Sequence, residues 1–406
     1  MKNLFFISAL FFCSLAVGQE LPDNFMKARA LMIRQQYDSA IYLLTLAEKE
    51  NPGNTELIFN RGICYFELRQ YTKAAGDFLF VNKRRSGMAS LMLAKTETRL
   101  NHQELAVKYL REHLSSSYRL PEKDILMDKE LSRLENANAW KSLWKEKEWY
   151  TPNDKKLAEA VYLKTNGEFP EAINLLKDLE KRGFKRSIVF QYLAEIYLEN
   201  GNTKLANESL ERSIKADSRN MDALKLRIDL LISLDEFEKA KPDCDRLLRQ
   251  APDEFEYYLV SGKINSKLGA YSKGIEDVNL YLELFPQADK AYNELGLIHF
   301  ENGKYLNAIS AFNRSLELEK GHAEYYFNRG RTYAATKTFK YAEQDFSMAL
   351  DLDPRNAEAW FEKGKVDIEL GRTDAACFEF RKAFQYGKFE AGEFVNRLCG
   401  QNKPIR

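Results

Sequence analysis

Hydrophobic and small residues recur along this chain with a fixed period of 34 residues. Seven units follow one another without insertion or deletion, and they begin at Asn153, Ser187, Met221, Phe255, Asp289, Ala323 and Ala357. Within each unit, apolar residues return every three to four positions in two separate stretches, which indicates two amphipathic helices joined by a turn. A period of this length is typical of proteins in which small helical units stack into an array.

Each unit places small residues opposite large ones. The eighth position holds Ala160, Ala194, Ile228, Gly262, Gly296, Gly330 and Gly364, the twentieth holds Ala172, Ala206, Ala240, Gly274, Ala308, Ala342 and Ala376, and the twenty-fourth holds Leu176, Leu210, Cys244, Val278, Phe312, Phe346 and Phe380. Small residues let two helices approach closely, and large residues fill the space around them. We therefore expect these three positions to form the core of each unit.

The turns between the helices carry their own signals. The fifteenth position holds Gly167, Gly201, Gly269, Gly303 and Gly371, where the first helix should end in a left-handed residue. The thirty-second position holds Pro252, Pro286 and Pro354, where proline stops the second helix. These positions predict the helix boundaries of the repeat.

The Ala323 unit shows the pattern most fully, with Tyr326, Gly330, Tyr333, Ala342, Phe346, Ala349 and Pro354. These residues at this spacing resemble the tetratricopeptide repeat. The resemblance implies an all-α fold, namely a right-handed α-solenoid (superhelix) of tandem helix-turn-helix hairpins. It also implies a concave surface that is lined by the first helices through repeat positions two, five, nine and twelve.

The pattern predicts how the chain is organised. Residues 19–120 form an N-terminal array of about three repeats, 153–390 form the seven-repeat array, and 391–406 form a closing helix and tail. Residues 121–152 lack the repeat and are interpreted as a helical joint. This joint contains Trp140, Trp144 and Trp149, for which buried packing is favoured and an aromatic contact site is the alternative.

The first residues indicate export. Residues 4–17 form an uncharged, Phe-rich run after a basic start, and this run is too short for a comfortable membrane span. We interpret residues 1–18 as a signal peptide, which predicts a periplasmic or extracellular protein. Lipid attachment at Cys13 is the less favoured alternative, because the bulky Phe12 precedes it.

Charge and motifs exclude several classes of function. The whole chain has a formal net charge of +1, and removal of Lys2 with the signal peptide brings it to zero, so nucleic acid is not an expected partner. The four histidines lack zinc-site spacing, and no phosphate-binding loop or nucleophile elbow is present. We therefore predict no catalytic site, no metal and no cofactor.

Four cysteines remain after the signal peptide, namely Cys64, Cys244, Cys377 and Cys399. We predict that they are small buried side chains, because the register places three of them at inward-facing helix positions. Export would also permit disulfides, so that alternative stays open.

The resemblance places a candidate peptide-binding groove on the first helices of the last three repeats. Its residues are Asn293, Leu297, Phe300, Phe327, Arg331, Phe361 and Lys365. Exposed aromatic residues beside Arg or Lys are typical of contact sites for other proteins. The predicted function is a non-catalytic scaffold of the cell envelope that binds proteins or peptides. The alternative is an accessory module that binds peptidoglycan or polysaccharide through the tryptophans near the joint.

Overall fold

The structure is a computed structural model, and it describes residues 23–399. The predicted signal peptide therefore lies outside the described residues. No strand occurs between residues 23 and 399. The helices are α1 Asp23–Ile33, α2 Tyr37–Glu50, α3 Thr55–Glu67, α4 Tyr71–Arg84, α5 Ser90–Arg99, α6 Gln103–Ser115, α7 Glu122–Leu126, α8 Asn138–Glu146, α9 Pro152–Thr165, α10 Phe169–Lys181, α11 Arg186–Glu199, α12 Thr203–Ala216, α13 Met221–Ser233, α14 Phe237–Gln250, α15 Glu256–Lys267, α16 Tyr271–Leu284, α17 Asp289–Glu301, α18 Tyr305–Leu318, α19 Ala323–Ala335, α20 Phe339–Leu352, α21 Ala357–Glu369, α22 Thr373–Gln385 and α23 Ala391–Leu398.

The fifteenth repeat position is left-handed in every repeat, whether or not it holds glycine. The five predicted glycines have φ between 70° and 80°. Asp235 and Lys337 take the same place in their repeats, with φ of 55° and 60°. The turn geometry is therefore set by the packing of the two helices, and glycine only makes it easier to adopt.

The predicted core positions interlock as expected. The alanines of the twentieth position and the large residues of the twenty-fourth are buried. A Cβ atom on Gly296 would lie 2.5 Å from the ring of Phe312, and one on Gly330 would lie 2.9 Å from the ring of Phe346. Glycine at the eighth position thus makes room for the phenylalanine sixteen residues later.

A polar pair joins the seventh and twenty-third positions of several repeats, and the sequence pattern did not predict it. In the N-terminal repeat that begins at Thr55, Arg61 binds Asp77 through two hydrogen bonds of 2.8 Å. In the Ala323 repeat, Arg329 binds Asp345 through two of 2.7 Å. Lys363 donates to Glu379 at the same places in the last repeat. The bidentate Arg–Asp pairs hold the two helices of a repeat in a fixed relative position.

The described residues form two compact units. Residues 23–233 with 246–253 form the first unit, and residues 234–245 with 254–399 form the second. The predicted boundaries at residues 120 and 152 are based on the repeat register, and the division into compact units does not test them. They stay predictions.

None of the helices between residues 23 and 399 is long and apolar enough to cross a membrane.

The non-repeating stretch of the first unit has its own core. It contains α7, a 3₁₀ helix at Leu131–Leu134, and α8. Trp140 and Trp149 are each only 6% exposed, and the Trp149 Nε1 donates to the Leu143 carbonyl at 2.9 Å. Trp144 lies edge-on to Trp140 and is half-buried. The packing interpretation of Trp140 and Trp149 is therefore confirmed.

The second unit ends in the predicted closing helix, α23. The Phe394 ring stacks on Phe380 at 4.6 Å and meets Phe361 edge-on at 5.4 Å. This helix covers the apolar face that the last repeat would otherwise expose.

The cysteine prediction is correct for two residues and wrong for the other two. Cys64 and Cys244 are free and buried. Cys377 and Cys399 form a disulfide, and their Cα atoms lie 5.5 Å apart. The repeat register did not indicate this pair, because Cys399 lies beyond the last repeat and is brought back onto α22 by the closing helix.

Candidate peptide-binding wall

The first helices of successive repeats lie next to one another in the second unit. We call the surface formed by α15, α17, α19 and α21 the first-helix wall. Side chains connect these helices, since Ser266 Oγ donates to Glu301 Oε2 at 2.5 Å and Asn328 Nδ2 donates to Asn293 Oδ1 at 3.1 Å. The wall is therefore held in place by bonds between repeats as well as by packing.

An exposed arginine lies over two aromatic rings at the middle of the wall. The Arg331 guanidinium carbon is 5.0 Å from the centre of the Phe300 ring and 5.7 Å from that of Phe327. The Phe327 ring in turn contacts the buried Phe346, with 5.8 Å between ring centres. Among residues 23–399, Arg331 has no hydrogen bond and no ion pair. Its side chain is thus oriented by the rings while its donors stay available.

The other predicted groove residues lie in different environments. Leu297 is half-buried at the ninth position of its repeat. Asn293 and Phe361 are buried, and Phe361 is 4% exposed beneath the closing helix. Lys365 is exposed, but it already donates to Glu362 at 2.7 Å. The structure therefore brings together Leu297, Phe300, Phe327 and Arg331 as surface residues, while Asn293 and Phe361 support the wall from within.

The ninth positions of the wall hold cations and a leucine but no carboxylate. Lys263, Lys290 and Arg331 are exposed, and none of them forms an ion pair within the described part of the chain. Glu301 is paired with Lys267, and Glu358 is paired with Lys388 at 2.7 Å.

The wall also carries carboxylates that form no ion pair with the described residues. Burial is the main cause that raises the pKa of Glu294 to about 7; Lys263 opposes this rise, while Glu301 and Glu324 add to it. Glu256, Glu324 and Glu369 are exposed carboxylates of the wall that form no ion pair within residues 23–399. The positive charge of Lys263 and Arg331 is therefore concentrated in the ninth-position row, and these carboxylates of the wall lie outside that row.

The equivalent surface of the first unit is in contact with its own chain. The first N-terminal repeat begins at Leu21, so Arg29 holds its ninth position. The Arg29 Nε and Nη2 both lie 2.9 Å from Asp253 Oδ2. Its Nη1 also donates to Asn60 Oδ1 at 3.0 Å. Burial and the nearby Asp253 carboxylate raise the pKa of Glu56 to about 7. The ninth-position arginine of the first unit thus already holds a carboxylate.

The repeat pattern is confirmed by comparison with known protein families. Family profiles described as "Tetratricopeptide repeat" match residues 25–79, 192–255, 262–321, 293–354 and 357–386, which together make up more than half of the chain. The chain belongs to the tetratricopeptide-repeat family. No curated protein matches it.

One solved tetratricopeptide-repeat structure has a similar fold, and two further structures show a weaker likeness. A tetratricopeptide repeat protein from Parabacteroides merdae is 20% identical, has a TM-score of 0.53, and covers 61% of this chain and 99% of its own. Cut9–Hcn1 of the APC/C is 14% identical, has a TM-score of 0.46, and covers 98% and 99%. YrrB, described as having an unusual peptide-binding site, is 20% identical, has a TM-score of 0.37, and covers 45% and 94%. These likenesses concern the fold alone.

The Asp289 repeat is one of the repeats without the polar pair, and it has a cleft beside the positions of that pair. In the Asp289 repeat the seventh and twenty-third positions hold Leu295 and Ala311, and a cleft of about 590 Å³ opens beside them. His299 lines this cleft, and burial lowers its pKa. Its Nδ1 has no hydrogen-bond partner within residues 23–399. The histidine is therefore a neutral, half-packed side chain. No group of three or more potential metal ligands occurs among the described residues.

Sequence reasoning missed two features, namely Lys263 on the first-helix wall and the contact between Arg29 and Asp253 in the first unit. Lys263 occupies the ninth position of the Phe255 repeat, and extending the groove one repeat towards the N-terminus would have found it. The contact between Arg29 and Asp253 gave no sequence signal, because the two residues are 224 positions apart and belong to different repeats.

Proposed function

We propose that this tetratricopeptide-repeat protein is an exported, non-catalytic scaffold that binds a segment of another protein on the first-helix wall. The observation that carries the proposal is Arg331, which lies over Phe300 and Phe327 with its donors unpaired within the described chain. Aromatic groups beside a free arginine are frequent in sites where binding energy is concentrated.

The contrast between the two units supports this choice of surface. In the first unit the ninth-position Arg29 is occupied by Asp253 of the same chain. In the second unit the corresponding Arg331 is exposed, so an external group has access to it. Trp140 and Trp149 are buried and Trp144 is half-buried, so these tryptophans offer little stacking surface to a polysaccharide. These observations favour binding of protein over binding of polysaccharide.

Export is supported by two independent features. The first is the basic start and apolar run of residues 1–18. The second is the pair Cys377–Cys399, because disulfides persist mainly in oxidising compartments such as the periplasm. Fractionation of cells that express the tagged chain tests this part of the proposal. Recovery of the full-length, uncleaved chain in the cytoplasm would contradict it.

Binding is tested with a phage-displayed library of random peptides selected on the immobilised chain from residue 19 onward. We expect enrichment of a shared motif by the wild type and loss of that enrichment by F327A/R331A. R331E is a second variant, which changes an exposed residue and leaves the core intact. The matched control is Y341A, which removes an exposed aromatic from a second helix and should keep the enrichment. Failure of the wild type to enrich any motif, or unchanged enrichment by R331E, would contradict the proposal.

A further inference from the structure

We propose that the segment bound by the first-helix wall is extended and acidic, with two carboxylates that meet Lys263 and Arg331 and an apolar side chain between them over Leu297. This inference rests on the proposed function, because it specifies the partner of the same surface. It concerns the chemistry of the partner and leaves its identity open.

The chain itself contains a precedent for the arginine contact. Arg29 and Arg331 occupy the same ninth position of their repeats, and Arg29 binds the Asp253 carboxylate through two of its nitrogens. Asp253 follows Ala251 and Pro252 in the turn after α14, so it is presented by a non-helical segment. A ninth-position arginine of this protein therefore binds a carboxylate that is presented by a non-helical segment.

The spacing of the ninth positions determines the spacing in the partner. Lys263, Leu297 and Arg331 occupy this position in three consecutive repeats, so they form a row across α15, α17 and α19. Adjacent packed helices lie about 8–10 Å apart, so Lys263 and Arg331 are separated by roughly 18 Å. A segment in the extended polyproline II conformation advances about 3.1 Å per residue and makes one turn every three residues. About six residues therefore span that distance, and every third side chain points in the same direction. The side chain halfway between the two carboxylates then lies over Leu297.

The rings and the remaining charges favour the same partner. Phe300 and Phe327 flank Arg331 and offer apolar area to the side chains next to the carboxylate. Lys290 adds a third exposed cation on α17. No carboxylate occupies a ninth position of the wall, because Glu256, Glu324 and Glu369, which form no ion pair in the described chain, lie at other repeat positions. Lys365, the next member of the row, is neutralised by Glu362 at 2.7 Å, so the acidic part of the partner should end at Arg331.

The test uses a fluorescently labelled peptide of about 12 residues, with a central Leu and a Glu about three residues to each side in a Gly–Ser–Thr background. Its affinity for the chain from residue 19 onward is measured by fluorescence anisotropy. We expect binding to weaken about tenfold or more with R331Q or K263Q, and with the Glu→Gln peptide. K365Q is the matched control and should change the affinity less than about twofold, because that lysine is already paired.

A charge exchange makes the result decisive. R331E should prefer a peptide in which the corresponding Glu is replaced by Lys, and circular dichroism should show unchanged helical content. If the selected library binds the wall through neutral or basic motifs, or if the Glu→Gln peptide binds as well as the acidic one, this inference is wrong while the proposed function stands. If no peptide of any composition binds, the proposed function fails as well.

Discussion

Gly296 and Phe312 are in such close contact that a single added methyl group would not fit between them. A Cβ atom on Gly296 would lie 2.5 Å from Cε1 of the Phe312 ring, well inside the range of ordinary contacts. The glycine sits in a first helix and the phenylalanine in the following second helix, so this contact sets how closely α17 and α18 approach. The same relation recurs between Gly330 and Phe346 and between Gly364 and Phe380.

Replacing Gly296 by alanine should therefore destabilise the protein by about 1–3 kcal/mol, because the ring must move out of a packed core. Gly76 is the matched control, since it is an exposed glycine in α4 with no atom within 4 Å of an added Cβ. Gly76→Ala should stabilise by up to about 1 kcal/mol through helix propensity. Urea unfolding of both variants measures the difference. Equal effects of the two substitutions would show that the contact is not tight.

The left-handed turn residues give a second prediction. Lys337 has φ of 60°, where Gly303 has 70° at the same repeat position. Lys337→Gly should stabilise the protein by about 1 kcal/mol, because glycine adopts this conformation without a steric penalty. Gly303→Ala should destabilise it by a similar amount. Thermal unfolding of the two variants checks the opposite signs, and a loss of stability in Lys337→Gly would contradict this account of the turn.

Much of the fold was predictable from the sequence, and the reasons are local. The repeat encodes its own core, because Gly330, Ala342 and Phe346 occupy positions whose sizes complement each other within one hairpin. The features that could not be predicted join different hairpins or lie outside the period. The pair Cys377–Cys399 depends on where the closing helix folds back, and the burial of Phe361 depends on the same helix.

The candidate site was predictable only in part. Repeat position identified Leu297, Phe300, Phe327 and Arg331, because exposure on a first helix follows from the helical period. It did not distinguish the free Arg331 from the paired Lys365, since the pairing depends on Glu362, one turn away on the same helix. It also did not indicate that Arg29 of the first unit is occupied by Asp253.

The disulfide supports a prediction about redox conditions. Cys377 and Cys399 are 22 residues apart and link the closing helix to α22. Removing a crosslink around a loop of this size costs about 3 kcal/mol in the loop-entropy account. Cys399→Ser should lower the unfolding temperature, and reduction of the wild type should lower it to the same value. Cys64→Ser is the control, and its unfolding temperature should still fall on reduction. A wild type that is insensitive to reduction would show that the bond does not form.

Glu294 should make the stability depend on pH. Its pKa rises from 4.5 to about 7 on folding, so its favourable contribution is complete below pH 4.5 and is lost as the pH rises through 7. Glu294→Gln lacks this titration. Relative to the wild type, we expect it to gain up to about 3 kcal/mol between pH 4.5 and pH 8. Urea unfolding at both pH values measures the gain. Glu324→Gln removes a charge from the same wall and is the control, and an equal gain in both variants would contradict the role of burial.

Site-resolved crosslinking tests most directly whether the first-helix wall holds a polypeptide segment. The peptide selected by the wild type is synthesised with photo-leucine at its apolar position, irradiated with the chain from residue 19 onward, and the crosslinked residues are identified by mass spectrometry. The account predicts crosslinks on α15, α17 and α19, concentrated near Leu297, and their disappearance in R331E. Crosslinks confined to the second helices or to residues 23–233, or an unchanged pattern in R331E, would contradict it.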